Sequence, residues 1–135
     1  MSEHDPIQAF LSGDCFAVAG ASTNREKYGN KVLRVYLQRG KKVFPINPGA
    51  DAVEGEKAYA DLASLPSTPH GVSIVTPPPI TERIVEEAID LGIEHLWMQP
   101  GAESEAAVQK AQQAGVNVIA GGPCVLVTLG YTEKA

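Results

Sequence analysis

Short apolar runs recur along the chain, and segments with helical periodicity separate most of them. The runs are rich in β-branched or aromatic residues and lack a strict polar alternation. Strands that are covered on both faces, as in a parallel sheet, have this composition. The pattern therefore predicts five buried strands, at residues 15–19, 42–46, 72–75, 95–98 and 116–120.

Between these runs, apolar residues recur at the 3.6-residue spacing of amphipathic helices. Three such stripes, at 32–37, 80–89 and 107–114, each lead to a glycine that can adopt the positive φ of a helix end. A short first helix is predicted after Asp5-Pro6, because an N-cap residue there precedes a proline at the first helical position. The less regular segment 48–69 is predicted to hold an edge strand near residues 57–59 and a helical turn around Leu62.

Strands that alternate with helices at this spacing imply right-handed βαβ crossovers. The predicted fold class is α/β, a Rossmann-like doubly wound parallel sheet in a single three-layer domain. A length of 135 residues fits one domain, so we predict that it covers residues 1–135.

Composition and charge exclude several classes of function. A net charge of −5 argues against general nucleic-acid binding, which needs a basic face. Cys15 and Cys124 make no disulfide framework, and no closely spaced Cys/His pairs indicate a metal site. The first six residues lack a basic segment followed by an apolar one, and no apolar stretch approaches the roughly 18 residues of a membrane span. We therefore expect a cytoplasmic protein that does not bind membranes.

The carboxyl ends of the predicted strands carry glycine, proline or small polar residues. Ligands of open parallel sheets bind at these ends, where the strand order reverses, and small residues let backbone and ligand approach closely. The ends are Gly20-Ala21-Ser22, Asn47-Pro48-Gly49, Thr76-Pro77-Pro78-Pro79, Gln99-Pro100-Gly101 and Gly121-Gly122-Pro123-Cys124.

The loop at 20–25 is the sharpest signal, since it follows a strand and leads into a helix. Free N–H groups at a helix start, together with hydroxyls, suit a phosphate or pyrophosphate, and Arg25 and Lys27 are placed to add charge-assisted contacts. The full Gly-x-Gly-x-x-Gly of dinucleotide sites is absent, and the second strand ends in Asn47-Pro48 where an acidic residue would hold a ribose diol. Asn47 can instead bond a ribose or base, or simply form the turn. NAD(P) is therefore the second choice of ligand.

Several segments resemble the small CoA-binding domain proteins, a family similar in fold to the N-terminal CoA-binding domain of the succinyl-CoA synthetase α subunit. The resemblance runs from about Phe16 to Cys124, and its more specific pieces are the Asn-Pro after the second strand and the Trp-x-Gln-x-Gly of the fourth. The matching segments are 18–22, 27–32, 43–48, 55–59, 88–92, 96–101 and 111–115.

The resemblance implies that coenzyme A, or an acyl-CoA, lies across the strand ends. The first loop would hold the phosphates, Lys41 or Lys42 would reach the 3′-phosphate, the loop at 75–78 would pack on the adenosine or pantetheine, and 99–101 would line the far wall. The chain departs from many relatives in having no arginine at the end of the third strand. The complete set of candidate cofactor-binding residues is Gly20, Ala21, Ser22, Arg25, Lys41, Lys42, Asn47, Pro48, Thr76, Pro77, Gln99, Pro100, Gly101 and Cys124.

Catalytic residues are harder to find than binding residues. Cys124 is the candidate nucleophile, but no Lys, Arg or His lies next to it in sequence to lower its pKa. His4 lies in the terminus, and His70 and His95 fall at the strand ends opposite the crevice. The leading prediction is therefore non-catalytic binding of CoA or acyl-CoA, possibly regulatory. The alternatives are an NAD(P)-binding regulatory domain or a small enzyme that acts on CoA thioesters through Cys124, and a homodimer stays open.

Overall fold

Five parallel strands form the central sheet of the computed structural model, which describes residues 5–122 and 124–132. His4 and Pro123, both considered above, lie outside the described residues. In chain order the strands are β1 (Cys15–Ala19), β2 (Lys42–Ile46), β3 (Ala52–Val53), β4 (Glu56–Lys57), β5 (Gly71–Ile74), β6 (His95–Met98) and β7 (Asn117–Ile119). The helices are α1 (Pro6–Leu11), α2 (Tyr28–Gln38), α3 (Pro78–Asp90), α4 (Glu105–Gln113) and α5 (Val125–Leu129), with a 3₁₀ turn at Leu62–Ser64.

The strand order of the sheet is β2-β1-β5-β6-β7, so the order reverses between β1 and β5. Ala19 pairs with Ile46 on one side and with Ile74 on the other, which brings the carboxyl ends of the first three strands to one edge. The two-stranded hairpin of β3 and β4 stands apart from this sheet. The predicted fold class is confirmed, and the reversal marks where a ligand is expected.

Alternate residues of the strands face two separate cores. Ala17 and Ala19 face the layer of α3 and α4, while Phe16 and Val18 face the layer of α1, α2 and α5. Trp97, on β6, belongs to the second core and is wholly buried. Each fully buried large side chain of this kind contributes about 1.5–3 kcal/mol by leaving water. The sheet is therefore covered by a hydrophobic core on each face.

Most of the predicted elements are present, within a few residues of their predicted bounds. Asp5 caps α1, since its carboxylate accepts from the Ile7 N–H at 3.0 Å. Tyr59 forms a parallel bridge with Ile46, where an edge strand was expected. The strand β3 and the helix α5 were not predicted. Within 5–122 and 124–132, no helix has both the length and the apolar character to cross a membrane, and no three metal-ligating side chains gather.

Candidate functional site

The loop after β1 crosses the point where the strand order reverses. Gly20 has φ +93°, and a Cβ there would stand 2.3 Å from the carbonyl oxygen of Val75, the residue after β5. Its N–H donates to the Ile46 carbonyl at the end of β2, at 3.2 Å. Only glycine accommodates both this φ and this approach. The loop is thus pressed onto the ends of both neighbouring strands.

The amino end of α2 follows this loop and is open. A Cβ on Gly29 would lie 2.0 Å from the Gly20 carbonyl oxygen, so the helix starts in direct contact with the loop. Lys27 is the N-cap residue and makes no side-chain cap, whereas α1 is capped by Asp5 and α4 by Ser104. The first N–H groups of α2 and its positive dipole end are therefore available to an anion.

A polar network fixes the back of the loop. The Asn30 amide donates to the Ser22 carbonyl at 2.8 Å and to the Glu54 carboxylate at 3.0 Å. Arg34 donates to the Asn30 oxygen at 2.7 Å and to the Arg25 carbonyl at 2.8 Å. The Arg25 guanidinium then pairs with Glu54, with 3.3 Å between Nε and Oε2. This pairing turns the Arg25 side chain toward the β3–β4 hairpin, and its contact with a phosphate stays a prediction.

One cavity, of about 440 Å³, opens between this loop, the end of β2 and the first turns of α3. Asn47 shapes its rim, since its amide donates to the Ala21 carbonyl and accepts from the Gly49 N–H, both at 2.8 Å. The structure therefore uses Asn47 as a turn former. The lining of the cavity is mostly apolar, and Arg83 is the charged side chain among the lining residues. The lining residues are Gly20, Ala21, Ser22, Ile46, Asn47, Pro48, Ala60, Thr76, Ile80, Arg83 and Ile84.

A second cavity, of about 420 Å³, lies on the other side of the loop. It shares Gly20, Ser22 and Thr76 with the first, so the two cavities flank the same turn. Lys27 lines it with an exposed side chain. Its remaining lining residues are Tyr28, Gly29, Val75 and Pro77.

Tyr28 connects this second cavity to the end of β6. Its hydroxyl donates to the Gln99 carboxamide oxygen at 3.3 Å and contacts the Cys124 sulfur. The same Gln99 oxygen accepts from the Val125 N–H at 2.9 Å and so ties down the start of α5. Burial, together with the contact to Cys124, raises the pKa of Tyr28 above its usual value. The three side chains form a polar cluster that holds the Cys124 thiol beside a neutral phenol.

Gln99 was predicted to line the far wall of the crevice, and this prediction needs correction. The side chain is wholly buried, so it holds α5 and Tyr28 in place. Its Nε2 finds no acceptor among residues 5–122 and 124–132. Pro100 and Gly101 follow it in an exposed turn at the same edge of the sheet.

Lys41 and Lys42 are not at the crevice. Lys42 opens β2 and pairs with Cys15, at the amino ends of the strands. Ile46 lies four positions farther along the extended strand, a distance of about 13 Å. The Lys42 ammonium lies over the Phe44 ring, 5.5 Å from the centroid. The predicted 3′-phosphate contact is therefore corrected: the first residue of a parallel strand lies at the edge opposite its ligand-binding end.

Sequence reasoning missed Arg83, the cation that does line the first cavity. Arg83 lines this cavity together with Ile80 and Ile84 of the same helix. The signal was present, because a helix that begins at the ligand edge presents its first two turns there.

Comparison with known proteins supports the resemblance found in the sequence. A conserved hypothetical protein of Pyrococcus furiosus has a similar structure, with a TM-score of 0.79 and 39% identity over 84% of this chain and 97% of its own. The uncharacterized protein YneT of Bacillus subtilis is 25% identical over 103 residues, 76% of each chain.

A longer relative is the α subunit of an ADP-forming acetate–CoA ligase II from Pyrococcus furiosus, 30% identical over 88 residues. These residues are 64% of this chain but 19% of the subunit, so the chain spans about a fifth of that relative. The profile of the CoA-binding domain family matches residues 14–130, which include both cavities and the Tyr28–Gln99–Cys124 cluster. The chain therefore belongs to the CoA-binding domain family.

Proposed function

We propose that the chain is a cytoplasmic binding module that holds coenzyme A or an acyl-CoA across the carboxyl ends of its strands. The observation that carries this proposal is the pair of cavities that meet at Gly20 and Ser22, in front of the open amino end of α2. Volumes of about 440 and 420 Å³ each lie within the range of about 300–1,000 Å³ for small-molecule sites. An elongated ligand with a charged centre fits this arrangement.

The pyrophosphate would lie between the two cavities. Ser22, Lys27 and the first residues of α2 line the second cavity beside this position, and α2 has no side-chain cap. Phosphates bind at helix starts of this kind because the dipole and the free donors act together. The Ser22 oxygen accepts from the Asn24 N–H at 3.0 Å, and its hydroxyl can still donate to a phosphate oxygen.

The two cavities would take the two arms of CoA, one on each side of the shared turn. The adenosine would occupy the first cavity, between Pro48 and Thr76 and against the isoleucines of α3. The pantetheine would follow Val75 and Pro77 through the second cavity toward Tyr28. Its thiol or thioester would then end near Cys124, which Tyr28 contacts.

The residues near this thiol end favour holding the ligand over transforming it. Tyr28 and Gln99 bond each other, and the raised pKa of Tyr28 keeps its hydroxyl neutral. His70 and His95, the two described histidines, stack on each other at the amino edge, 4.3 Å between ring centroids. General acid–base catalysis needs a titrating group within hydrogen-bond reach of the reacting atoms, and these histidines stand at the wrong edge.

Isothermal titration calorimetry with CoA, acetyl-CoA, NAD and NADP tests the proposal. We expect saturable binding of CoA and acetyl-CoA, and none of NAD. Binding of NAD without CoA would instead support the dinucleotide alternative. Release of free thiol from acetyl-CoA, abolished in Cys124→Ser, would show a thioester-cleaving enzyme and overturn the non-catalytic part of the proposal.

A further inference from the structure

Arg83 is a cation at the wall of the first cavity that the protein itself does not use. The residue is exposed on α3, and its guanidinium has no hydrogen bond or ion pair with any residue in 5–122 or 124–132. The isoleucines on either side of it along the same face, Ile80 and Ile84, line the same cavity. The cavity therefore combines an apolar floor with one uncompensated positive charge.

The acidic residues that could neutralise Arg83 are occupied elsewhere. On the same helix, Glu82 accepts from the Ser104 hydroxyl at 2.7 Å, and Glu86 pairs with Lys110 at 2.9 Å. Glu87 accepts from the N–H groups at the start of the 3₁₀ turn, at 3.1 and 3.3 Å. In a chain of net charge −5, three carboxylates on this helix thus bond partners other than the arginine.

Arg83 also differs from the cation that the sequence favoured for phosphate binding. Arg25 is held by Glu54 on the hairpin side of the loop. Lys27 is at the second cavity, on the other side of the shared turn. An anionic group seated in the first cavity therefore meets Arg83, while a pyrophosphate at the start of α2 meets Lys27. The site carries two separate positions of positive charge.

We propose that Arg83 binds a phosphate monoester on the ribose of the nucleotide, and so distinguishes coenzyme A from its 3′-dephosphorylated form. This inference rests on the proposed function, which places the adenosine in the first cavity. A guanidinium binds a terminal phosphate through two parallel N–H donors, a geometry that an ammonium does not reproduce. The apolar surface of Ile80 and Ile84 beside it suits the adenine ring.

Calorimetry with CoA and 3′-dephospho-CoA tests the role of Arg83. The wild-type protein should prefer CoA by roughly tenfold to a hundredfold, the effect of one or two charged hydrogen bonds. Arg83→Gln should weaken the binding of CoA by the same factor and leave the binding of dephospho-CoA unchanged. The affinity of Arg83→Lys for CoA should fall between those of the wild type and Arg83→Gln. Lys42→Gln removes an equal charge at the amino ends of the strands, away from this cavity, and should behave as wild type. Thermal melts of each variant confirm folding.

The outcomes separate this inference from the proposed function. Equal affinity of the wild-type protein for CoA and dephospho-CoA, or an unchanged preference in Arg83→Gln, would overturn the role of Arg83 while CoA binding stands. If the wild-type protein binds neither form, the proposed function itself fails. If it binds NADP over NAD through Arg83 and does not bind CoA, the ribose phosphate contact stands and the assignment to CoA falls.

Discussion

The two edges of the central sheet are built from the same strands yet differ in almost every property. At the amino edge, Phe10 stacks on Phe16, their centroids 5.4 Å apart, and His70 stacks on His95. A Cβ on Gly71 would reach within 2.6 Å of the Phe10 ring. At the carboxyl edge, two cavities open around a glycine loop. One edge is closed by rings, and the other is left open.

The difference lies in where polar groups find their partners. At the amino edge they bond one another: His70 Nε2 lies 2.9 Å from the Ala9 carbonyl oxygen, and Asn117 bonds both His95 and the Pro6 carbonyl at 3.0 Å. Helix α1 thereby seals this edge. At the carboxyl edge, the start of α2 has no side-chain cap, and the Arg83 guanidinium meets no partner within the described ranges. Donors that the fold leaves unpaired are the ones a ligand can use.

The largest difference between the edges is expected when one glycine at each edge, Gly29 or Gly71, is replaced by alanine. Gly29→Ala forces a methyl group against the backbone carbonyl of Gly20, so the loop after β1 would be displaced from α2. Loss of two charged hydrogen bonds to phosphate would weaken CoA by roughly a hundredfold or more. Gly71→Ala meets the Phe10 side chain and should lower the free energy of unfolding by about 1–3 kcal/mol through overpacking.

Urea unfolding and calorimetry on both variants separate stability from binding. The folded fraction of Gly71→Ala should bind CoA as the wild type does. If Gly29→Ala also bound CoA normally, the pyrophosphate would not lie at the loop, and the contrast between the edges would lose its functional meaning.

Two exposed lysines give a smaller test of the same contrast. Lys27 borders the second cavity, whereas Lys42 starts β2 at the closed edge. Lys27→Gln should weaken CoA roughly two- to fivefold, since an exposed charge is screened by solvent. Lys42→Gln removes the same charge and should leave the dissociation constant unchanged. Titrations at low and high salt should show a loss of CoA affinity in Lys27→Gln that is larger at low salt. A loss of CoA affinity in Lys42→Gln would contradict the placement of Lys42 at the closed edge.

Periodicity predicted the strands and their carboxyl ends, where two cavities open, because these follow from local spacing along the chain. It did not predict which cation faces the cavity. Arg25 is adjacent to the loop in sequence, but Glu54, twenty-nine positions later, holds it away. Arg83 is distant in sequence and is brought to the cavity by the βαβ crossover. Such pairings depend on contacts between elements, which a single sequence does not display.

The unpredicted α5 has a related explanation. Its five residues are too few for helical periodicity to be read, and a helix this short is marginal without tertiary packing. Gln99 supplies that packing by accepting from the Val125 N–H, and Arg39 adds bonds to the carbonyls of Leu129 and Gly130. The helix exists because residues elsewhere in the chain hold it, and it brings Cys124 to Tyr28.

The smallest effect is expected on the alkylation rates of the two cysteines, one at each edge. Alkylation reports whether CoA lies near a thiol, and it removes no contact that CoA needs for binding. Cys15 opens β1, and burial raises the pKa of its thiol despite the nearby Lys42 ammonium. Cys124 lies against Tyr28, where the pantetheine would end. CoA should slow the alkylation of Cys124 by iodoacetamide, with half-protection at the dissociation constant, and should leave Cys15 unaffected. Peptide mass spectrometry over a titration of CoA measures both rates in one sample. Protection of Cys15 in place of Cys124 would put the thiol at the closed edge and reverse the orientation proposed for the ligand.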